Sequence, residues 1–154
     1  MMNFMSLLWL TGCSTSSLLH KNEFTIKYYE NGKSINVVIE NDDTITRLVT
    51  NLVQGTDNSF KMMVTKSTIE NAKLKTCTEI TFAKEMNITM KNGNIISFTK
   101  VLILFKNDEE ARKSSSVVFY CGTRDYLSPP YINSEGGAIA NEIRRLCVSA
   151  IQNK

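Results

Sequence analysis

Two Asn-Gly dipeptides constrain the fold more than any other feature of this 154-residue sequence. Asn31-Gly32 and Asn92-Gly93 each separate two runs that are rich in β-branched and aromatic residues. Asn and Gly accept the positive φ angles of a two-residue type I′ turn, which joins antiparallel strands into a hairpin. The sequence therefore predicts an antiparallel sheet built around two hairpins.

The first hairpin has a register in which its large side chains share one face. With Asn31-Gly32 as the turn, the predicted pairs are Phe24 with Ile39, Ile26 with Val37 and Tyr28 with Ile35. A shift of one residue would turn these side chains to the other face, so turn and burial favour the same register.

The second hairpin is predicted over residues 80–90 and 95–105, with partners whose numbers sum to 185. In this register Ile95 lies on one face, whereas Ile96 and Phe98 lie on the other. Because both faces carry apolar residues, we expect this hairpin to lie near the centre of the sheet and to be partly covered on both sides.

Two segments have the spacing of amphipathic helices. Apolar residues recur every three or four positions over residues 42–54 and over about 135–152. Asp residues can cap the first helix, and Gly55 is typical of a left-handed residue after its end. We predict that both helices pack on the antiparallel sheet, which gives a single α+β domain over residues 23–154.

Two connections show neither pattern. Asn107–Ser116 is polar and is predicted to be a solvated loop. Gly122–Ser134 contains Pro129-Pro130 between two tyrosines and is interpreted as a loop with a short edge strand.

The first twelve residues contain no charged side chain and include an apolar run from Phe4 to Leu10 that only Ser6 interrupts. This run is too short to cross a bilayer as a helix, which takes about 20 residues. It is typical of the apolar core of a secretory signal, which small residues follow at the cleavage site. Residues 1–12 are therefore predicted to be a signal peptide.

Leu10-Thr11-Gly12-Cys13 resembles the lipobox of bacterial lipoproteins, although Met1-Met2-Asn3 lacks the basic residue of that pattern. The resemblance implies that Cys13 becomes the first mature residue and carries acyl chains such as palmitate, with residues 13–22 as the lipidated Cys and tether. Several acyl chains hold a protein on a membrane far more firmly than one. The alternative interpretation is that residues 1–10 are an ordinary buried segment.

The same resemblance implies a location. The residue after Cys13 is not acidic, which in bacterial lipoproteins is the pattern of an outer-membrane address facing the periplasm in a bacterium with two membranes. The membrane, reached through the N-terminal lipid, is thus one predicted partner.

A single histidine limits the catalytic arrangements that the chain can build. His20 lies between the tether and the first strand, where it is not expected to be held rigidly. No Cys-His or Ser-His-Asp arrangement is therefore predicted in the globular part. A Ser-Lys or paired-carboxylate mechanism stays open, but no spacing singles one out. We predict a domain that is not an enzyme and uses no cofactor.

Three cysteines remain in the domain besides Cys13. An odd number allows at most one disulfide among Cys77, Cys121 and Cys147, and a secreted domain permits such a bridge. Apolar neighbours favour small buried thiols at Cys121 and Cys147. No Cys-x-x-Cys or His-rich spacing predicts a metal site.

The charge does not predict a nucleic-acid partner. A net charge of +3 from 18 basic and 15 acidic residues is small and is not concentrated in one stripe.

The proline-stiffened loop supplies the best predicted binding surface, formed by Tyr126, Pro129, Pro130 and Tyr131. Aromatic rings on such a loop offer contact area at low entropic cost. The alternative is that both tyrosines fold back on the edge of the sheet.

A weaker candidate is an anion site at Gly136 and Gly137, where the last helix starts, with Arg124 nearby. The alternative is that the two glycines only make a flexible approach to the helix.

These features together predict a membrane-anchored lipoprotein whose domain binds an envelope component or a small ligand. The main alternative is a periplasmic immunity or inhibitor protein that protects against a toxin or hydrolase. A carboxylate- or lysine-based enzyme is the third hypothesis.

Overall fold

The computed structural model describes residues 24–40, 42–126 and 128–154. The predicted signal peptide, the lipobox with Cys13, the tether and His20 lie outside the described residues. The described strands are β1 (Phe24–Glu30), β2 (Lys33–Val37), β3 (Asn58–Ser59), β4 (Cys77–Thr89), β5 (Ile95–Leu104), β6 (Val117–Gly122) and β7 (Tyr131–Asn133). The described helices are α1 (Asp42–Gln54), α2 (Lys66–Ala72), α3 (Asp108–Lys113) and α4 (Gly137–Gln152).

The seven strands form one antiparallel sheet in the order β2-β1-β4-β5-β6-β7-β3. The predicted α+β class is therefore confirmed, and the β4–β5 hairpin lies at the centre of the sheet as expected. Within the described part of the chain, no helix has both the length and the apolar character that a membrane span requires.

The first hairpin has the predicted turn and register. Asn31 and Gly32 have φ angles of 52° and 78°, as a type I′ turn requires. Ile26 pairs with Val37, and the ladder continues to the turn. Two details were wrong.

Phe24 does not pair with Ile39, because β2 ends at Val37 and Phe24 pairs instead with Phe82 of β4. Ile35, on the edge strand β2, is 40% exposed rather than buried.

The second hairpin has a three-residue turn, so the predicted register was wrong by one residue. The Met90 N–H donates to the Asn94 carbonyl at 2.8 Å, and the Gly93 N–H donates to the Met90 carbonyl at 2.9 Å. Gly93 has φ 87°, which is the left-handed position of such a turn.

This turn exchanges the two faces of the hairpin near its tip. Ile88 pairs with Ile96, and Met86 pairs with Phe98. Ile96 and Phe98 are therefore buried in the main core, whereas Ile95 is 68% exposed. Burial of two large side chains favours this register over the two-residue turn.

An irregularity in β4 shifts the register again further from the turn. Thr81 pairs with Lys100, whereas Met86 pairs with Phe98, so four residues of β4 lie opposite one residue of β5. Beyond this point Val101 and Ile103 supply the side chains that β5 buries in the main core. Such a bulge changes which positions of a strand face the core.

Helices α1 and α4 lie over one face of the sheet, and their apolar stripes form the main core with it. Helix α1 has the predicted bounds, and α4 begins two residues later than expected, at Gly137. The largest side chains that are fully buried there are Phe98, Phe119, Ile45, Leu52, Ile80, Ile103 and Ile143.

Gly55 follows α1 but does not have a positive φ angle, contrary to the prediction. Its small size is needed for another reason. A Cβ atom at this position would collide with the Asn133 side chain, whose amide donates a 2.9 Å hydrogen bond to the Leu52 carbonyl.

The polar segment 107–116 is not only a loop, because it contains the short helix α3. The Asn107 side chain accepts from the Glu110 N–H at 2.9 Å, and the Glu110 carboxylate accepts from the Asn107 N–H at 3.3 Å. This capping box satisfies N–H groups at the start of α3.

A second, smaller core lies on the opposite face of the sheet. It is covered by α2 and by the segment that follows β6, and its buried members are Val64, Ala72, Cys77, Leu102, Tyr120 and Tyr126. The two faces of β5 are thus both covered, which explains its apolar character on both sides.

Candidate functional site

Glu79 is the centre of a polar cluster in the smaller core. Its position on β4 turns its side chain toward α2, where the side chain is only 12% exposed. The Tyr126 hydroxyl donates to its Oε2 atom at 2.6 Å, and Lys73 Nζ lies 3.2 Å from the same atom. One carboxylate therefore holds together β4, helix α2 and the loop after β6.

The charges of this cluster stabilise one another. Burial raises the pKa of Tyr126 far above its ordinary value, and the Glu79 charge raises it further. Burial alone would lower the pKa of Lys73, but the charge and hydrogen bond of Glu79, together with those of Tyr29, outweigh it, so this pKa is raised. At neutral pH the cluster is thus an ion pair with a neutral phenol donor.

A pocket of about 550 Å³ lies beside this cluster under α2. Lys73 lines it but is paired with Glu79. Lys100 lines it too, and its Nζ lies 4.6 Å from the centre of the Tyr126 ring. Both lysines therefore have partners within the domain. We interpret the cluster around Glu79 as a structural anchor for the loop after β6.

The anchored loop forms one wall of a second opening, which we call the polar cleft. It has a volume of about 550 Å³ and lies between three segments. They are residues 56–59 around β3, the tip of the β4–β5 hairpin from Met90 to Ser97, and the loop residues Ser128, Pro129 and Tyr131.

Neutral hydrogen-bonding side chains dominate the cleft, and they are Asn58, Ser59, Asn92, Asn94, Ser97 and Ser128. Asp57 is the one side chain among the described lining residues that is charged at neutral pH. The Ser134 hydroxyl and N–H donate to its Oδ1 at 3.0 and 3.2 Å, which lowers the pKa of Asp57. Asp57 is therefore charged at neutral pH and already engaged.

Thr56 contributes a buried hydroxyl at the cleft. The residue is 2% exposed, and its Oγ1 atom has no hydrogen-bond partner among the described residues. An unpaired buried polar group costs about 1–3 kcal/mol of folding free energy. A buried polar group that destabilises the fold in this way is typical of positions that serve function rather than stability.

The apolar surface of the cleft comes from the rings of Tyr131 and Pro129 and from the exposed side chain of Ile95. Tyr131 is half-buried and stacks on Phe119 with ring centres 5.7 Å apart. Burial raises the pKa of Tyr131, so its hydroxyl is neutral. Pro129 is exposed, and Ile95 is 68% exposed at the hairpin tip.

The structure divides the four residues of the predicted binding surface. Tyr126 and Pro130 are buried, so the expectation of one exposed patch containing all four was wrong. The Tyr126 side chain is withdrawn because its hydroxyl reaches Glu79. Pro129 and Tyr131 do line the polar cleft.

The other residues of the cleft were missed by sequence reasoning. Asn58 and Asn94 lie 36 positions apart, on an edge strand and on a hairpin tip. No periodic signal joins them. The only hint in the sequence was the concentration of Asn and Ser around the second Asn-Gly turn.

At the predicted anion site, where α4 starts, backbone carbonyls accept the hydrogen bonds that an anion was predicted to accept. The Gly136 N–H donates to the Asn133 carbonyl at 3.2 Å, and the Gly137 N–H donates to the Ser115 carbonyl at 2.8 Å. Arg124 is exposed on the segment after β6. The two N–H groups that were predicted to bind an anion are therefore already satisfied.

Cys77, Cys121 and Cys147 are buried free thiols. Burial raises the pKa of Cys77 to about 12 and of Cys147 to about 11, and it raises that of Cys121 as well. The described residues contain no group of three or more His, Cys, Asp or Glu side chains that could hold a metal ion.

Comparison of the chain with protein families, with curated proteins and with solved structures finds no match. The polar cleft, with the loop that Tyr126 anchors, is thus the feature from which a function can be argued.

Proposed function

We propose that this protein is a lipid-anchored, non-catalytic binding module of a bacterial cell envelope, which holds its ligand in the polar cleft. The observation that carries the proposal is the chemistry of that cleft. It offers neutral donors and acceptors on three separate segments, beside a buried Thr56 hydroxyl that has no partner in the described part of the chain. Ligand sites are concave, and their placed polar groups fix the orientation of the ligand.

The proposed anchor is Cys13, by the resemblance of residues 10–13 to a lipobox. The strand register indicates which end of the domain the tether would join. Phe24 pairs with Phe82, and β4 continues beyond this pair to the hairpin tip at residues 91–93. The chain therefore enters β1 at the end of the sheet where the hairpin tip lies.

If residues 13–22 form the tether, the polar cleft lies at the end of the sheet where the tether would join β1. A ten-residue tether over 13–22 reaches at most about 35 Å when fully extended. The ligand would then lie near the anchoring membrane. In a bacterium with two membranes we propose the periplasmic side of the outer membrane.

The state of the ionisable groups supports a non-catalytic role. Glu79 is engaged by Tyr126 and Lys73, and Asp57 is engaged by Ser134. Raised pKa values keep the three buried thiols protonated, whereas a nucleophilic cysteine needs a lowered one.

The anchor is tested by growing cells with radiolabelled palmitate. The wild-type protein should carry label, and Cys13→Ser should lose it. Cys77→Ala is the matched control, because it removes a domain thiol and should keep the label. Continued labelling of Cys13→Ser would overturn the assignment of Cys13.

The binding role is tested by affinity capture from detergent-solubilised membranes with the intact protein. We expect a retained component whose yield falls with Asn58→Ala combined with Asn94→Ala. The control is Asn36→Ala, on β2 at the opposite edge of the sheet. Equal capture by the control and the cleft variant would contradict binding through the cleft.

A second candidate function is the immunity or inhibitor role, and one observation favours it. Phe60, Met62 and Met63 follow the edge strand β3 and are 46%, 47% and 82% exposed. Exposed apolar side chains close together are typical of protein-binding surfaces. Loss of protection against a toxin on changing Met63→Ser, with the polar cleft intact, would favour this role over the first.

A further inference from the structure

We infer that the polar cleft binds a neutral carbohydrate, that is, a glycan segment built of uncharged pyranose units. This inference rests on the proposed function, because it names the ligand class of the same site. It depends on three properties of the lining: its hydrogen-bonding groups, its lack of free charge and its apolar surfaces.

The hydrogen-bonding groups match those of a sugar. Each sugar hydroxyl both donates and accepts, so it needs partners that can do either. Asn amides and Ser hydroxyls are such partners. Asn58 on β3, Asn94 at the hairpin tip and Ser128 on the anchored loop present them from three sides of the cleft.

Some of the polar atoms in the cleft are used locally, and these set the shape of its walls. Asn92 Oδ1 accepts from the Asn94 N–H at 3.0 Å, and Asn58 Oδ1 accepts from the Ser59 N–H at 2.8 Å. The amide NH₂ groups of Asn58 and Asn92 are not used in these contacts. They are therefore held in place as donors before a ligand arrives.

The charge of the cleft disfavours ionic ligands. Asp57 is the one charged side chain among the described lining residues, and Ser134 engages its carboxylate. This negative charge opposes anionic ligands such as phosphates. A cationic ligand would meet a carboxylate whose Oδ1 already accepts two hydrogen bonds from Ser134. A neutral ligand meets neither penalty.

The apolar surfaces suit the C–H faces of pyranose rings. Pro129 and Ile95 are exposed at the rim, and the Tyr131 ring is fixed against Phe119. A sugar ring that packs against such side chains buries apolar area while its hydroxyls stay at the polar groups. The volume of about 550 Å³ lies within the range of small-ligand sites.

The test is calorimetric titration of the full-length protein in detergent with two neutral probes, tetra-N-acetylchitotetraose and maltotetraose. Two charged probes serve as controls, the deacetylated glucosamine tetramer and an oligogalacturonate. We expect saturable binding of at least one neutral probe and no binding of the charged ones. Binding of charged probes only, or of none, would overturn the inference.

Variants place the bound sugar. Asn58→Ala and Asn94→Ala should each weaken the binding of the neutral probe roughly two- to tenfold, which is the effect of one lost hydrogen bond. Asn36→Ala should leave it unchanged. Thermal unfolding of each variant checks that the fold is intact. Equal affinities for all of the variants would show that the sugar binds elsewhere and would overturn the site.

The outcomes separate this inference from the proposed function. In one outcome, affinity capture retains a membrane component and its yield falls with Asn58→Ala combined with Asn94→Ala, but neither neutral probe binds. The ligand class is then wrong and the binding role stands. If palmitate labelling does not depend on Cys13 but a neutral probe binds at the cleft, the anchor is wrong and the carbohydrate site stands.

Discussion

The hydroxyl of Tyr126 donates a 2.6 Å hydrogen bond to the carboxylate of Glu79. This contact joins the loop after β6 to the central strand β4, across the smaller core. The loop would otherwise be a proline-containing connection at the surface. Its fixed position allows Ser128 and Pro129 to form a wall of the polar cleft.

The first prediction concerns this anchor. Tyr126→Phe keeps the ring but removes the hydroxyl, so it should lower the free energy of unfolding by about 1.5–3 kcal/mol, the range for a hydrogen bond to a charged group. Urea unfolding at pH 7 measures the effect.

The matched control is Tyr120→Phe. Tyr120 packs edge-to-face on Tyr126, with ring centres 6.5 Å apart, and the variant leaves the Glu79 contact in place. We expect it to lower stability less than Tyr126→Phe does. Equal effects of both variants would mean that the hydroxyl of Tyr126 does not anchor the loop through Glu79.

The second prediction is a loss of stability at alkaline pH. The pKa values of Cys77, Tyr126 and Lys73 are all raised in the folded state, so the folded protein retains protons that the unfolded chain releases. Their stabilising contributions are complete below the ordinary pKa values of 9.0, 10.0 and 10.5, respectively, and are lost as pH rises through the folded values.

The free energy of unfolding should therefore fall above about pH 9, as urea titrations between pH 7 and pH 11 can show. Glu79→Gln should weaken this dependence, because the Glu79 charge raises the pKa of Lys73 and adds to the burial effect on Tyr126. The same slope in both proteins would contradict the assigned role of Glu79.

The third prediction counts thiols. Cys77, Cys121 and Cys147 are buried with raised pKa values, so iodoacetamide should leave them unmodified in the native protein at pH 7.5. In denaturant only these three should react, because a thioether lipid would block Cys13. Mass spectrometry after alkylation gives the number. A fourth alkylated thiol would show that Cys13 carries no lipid.

The fourth prediction concerns the buried hydroxyl of Thr56. Thr56→Val replaces a polar atom that no described residue pairs with by a methyl group of similar size, so it should leave stability unchanged or raise it by about 1 kcal/mol. Thermal unfolding measures this. Destabilisation by the variant would mean that the Thr56 hydroxyl has a structural partner.

Local rules were sufficient for the turn and register of the first hairpin and for the existence of the two long helices. The Asn31-Gly32 turn and the burial of Ile26 and Tyr28 agree on one register, so the prediction could be made from a short segment. Helix α1 likewise has an unambiguous stripe of apolar residues. In both cases the sequence pattern and the packed structure report the same periodicity.

The second hairpin shows where local rules fail. Asn-Gly is compatible with a two-residue turn and with a three-residue turn that ends in a left-handed Gly. Because β5 is covered on both faces, the burial pattern did not decide between them. The choice is made by packing of Ile96 and Phe98 against elements distant in the sequence.

The cleft could be predicted only in part for the same reason. The Pro129-Pro130 pair between two tyrosines pointed to Pro129 and Tyr131, which line it. The burial of Tyr126 depends on Glu79, 47 positions away along the chain. A contact between residues so far apart in the sequence depends on the order of the strands in the sheet. The sequence of a single loop does not reveal that order.

The claim that the polar cleft is the binding face is tested most directly by photo-crosslinking in cells. A photoreactive amino acid at Ile95, 68% exposed in the cleft, should capture a specific product. The same amino acid at Leu74, 63% exposed beside Gly32 at the other end of β1, should not. A product at Leu74 with none at Ile95 would contradict the account.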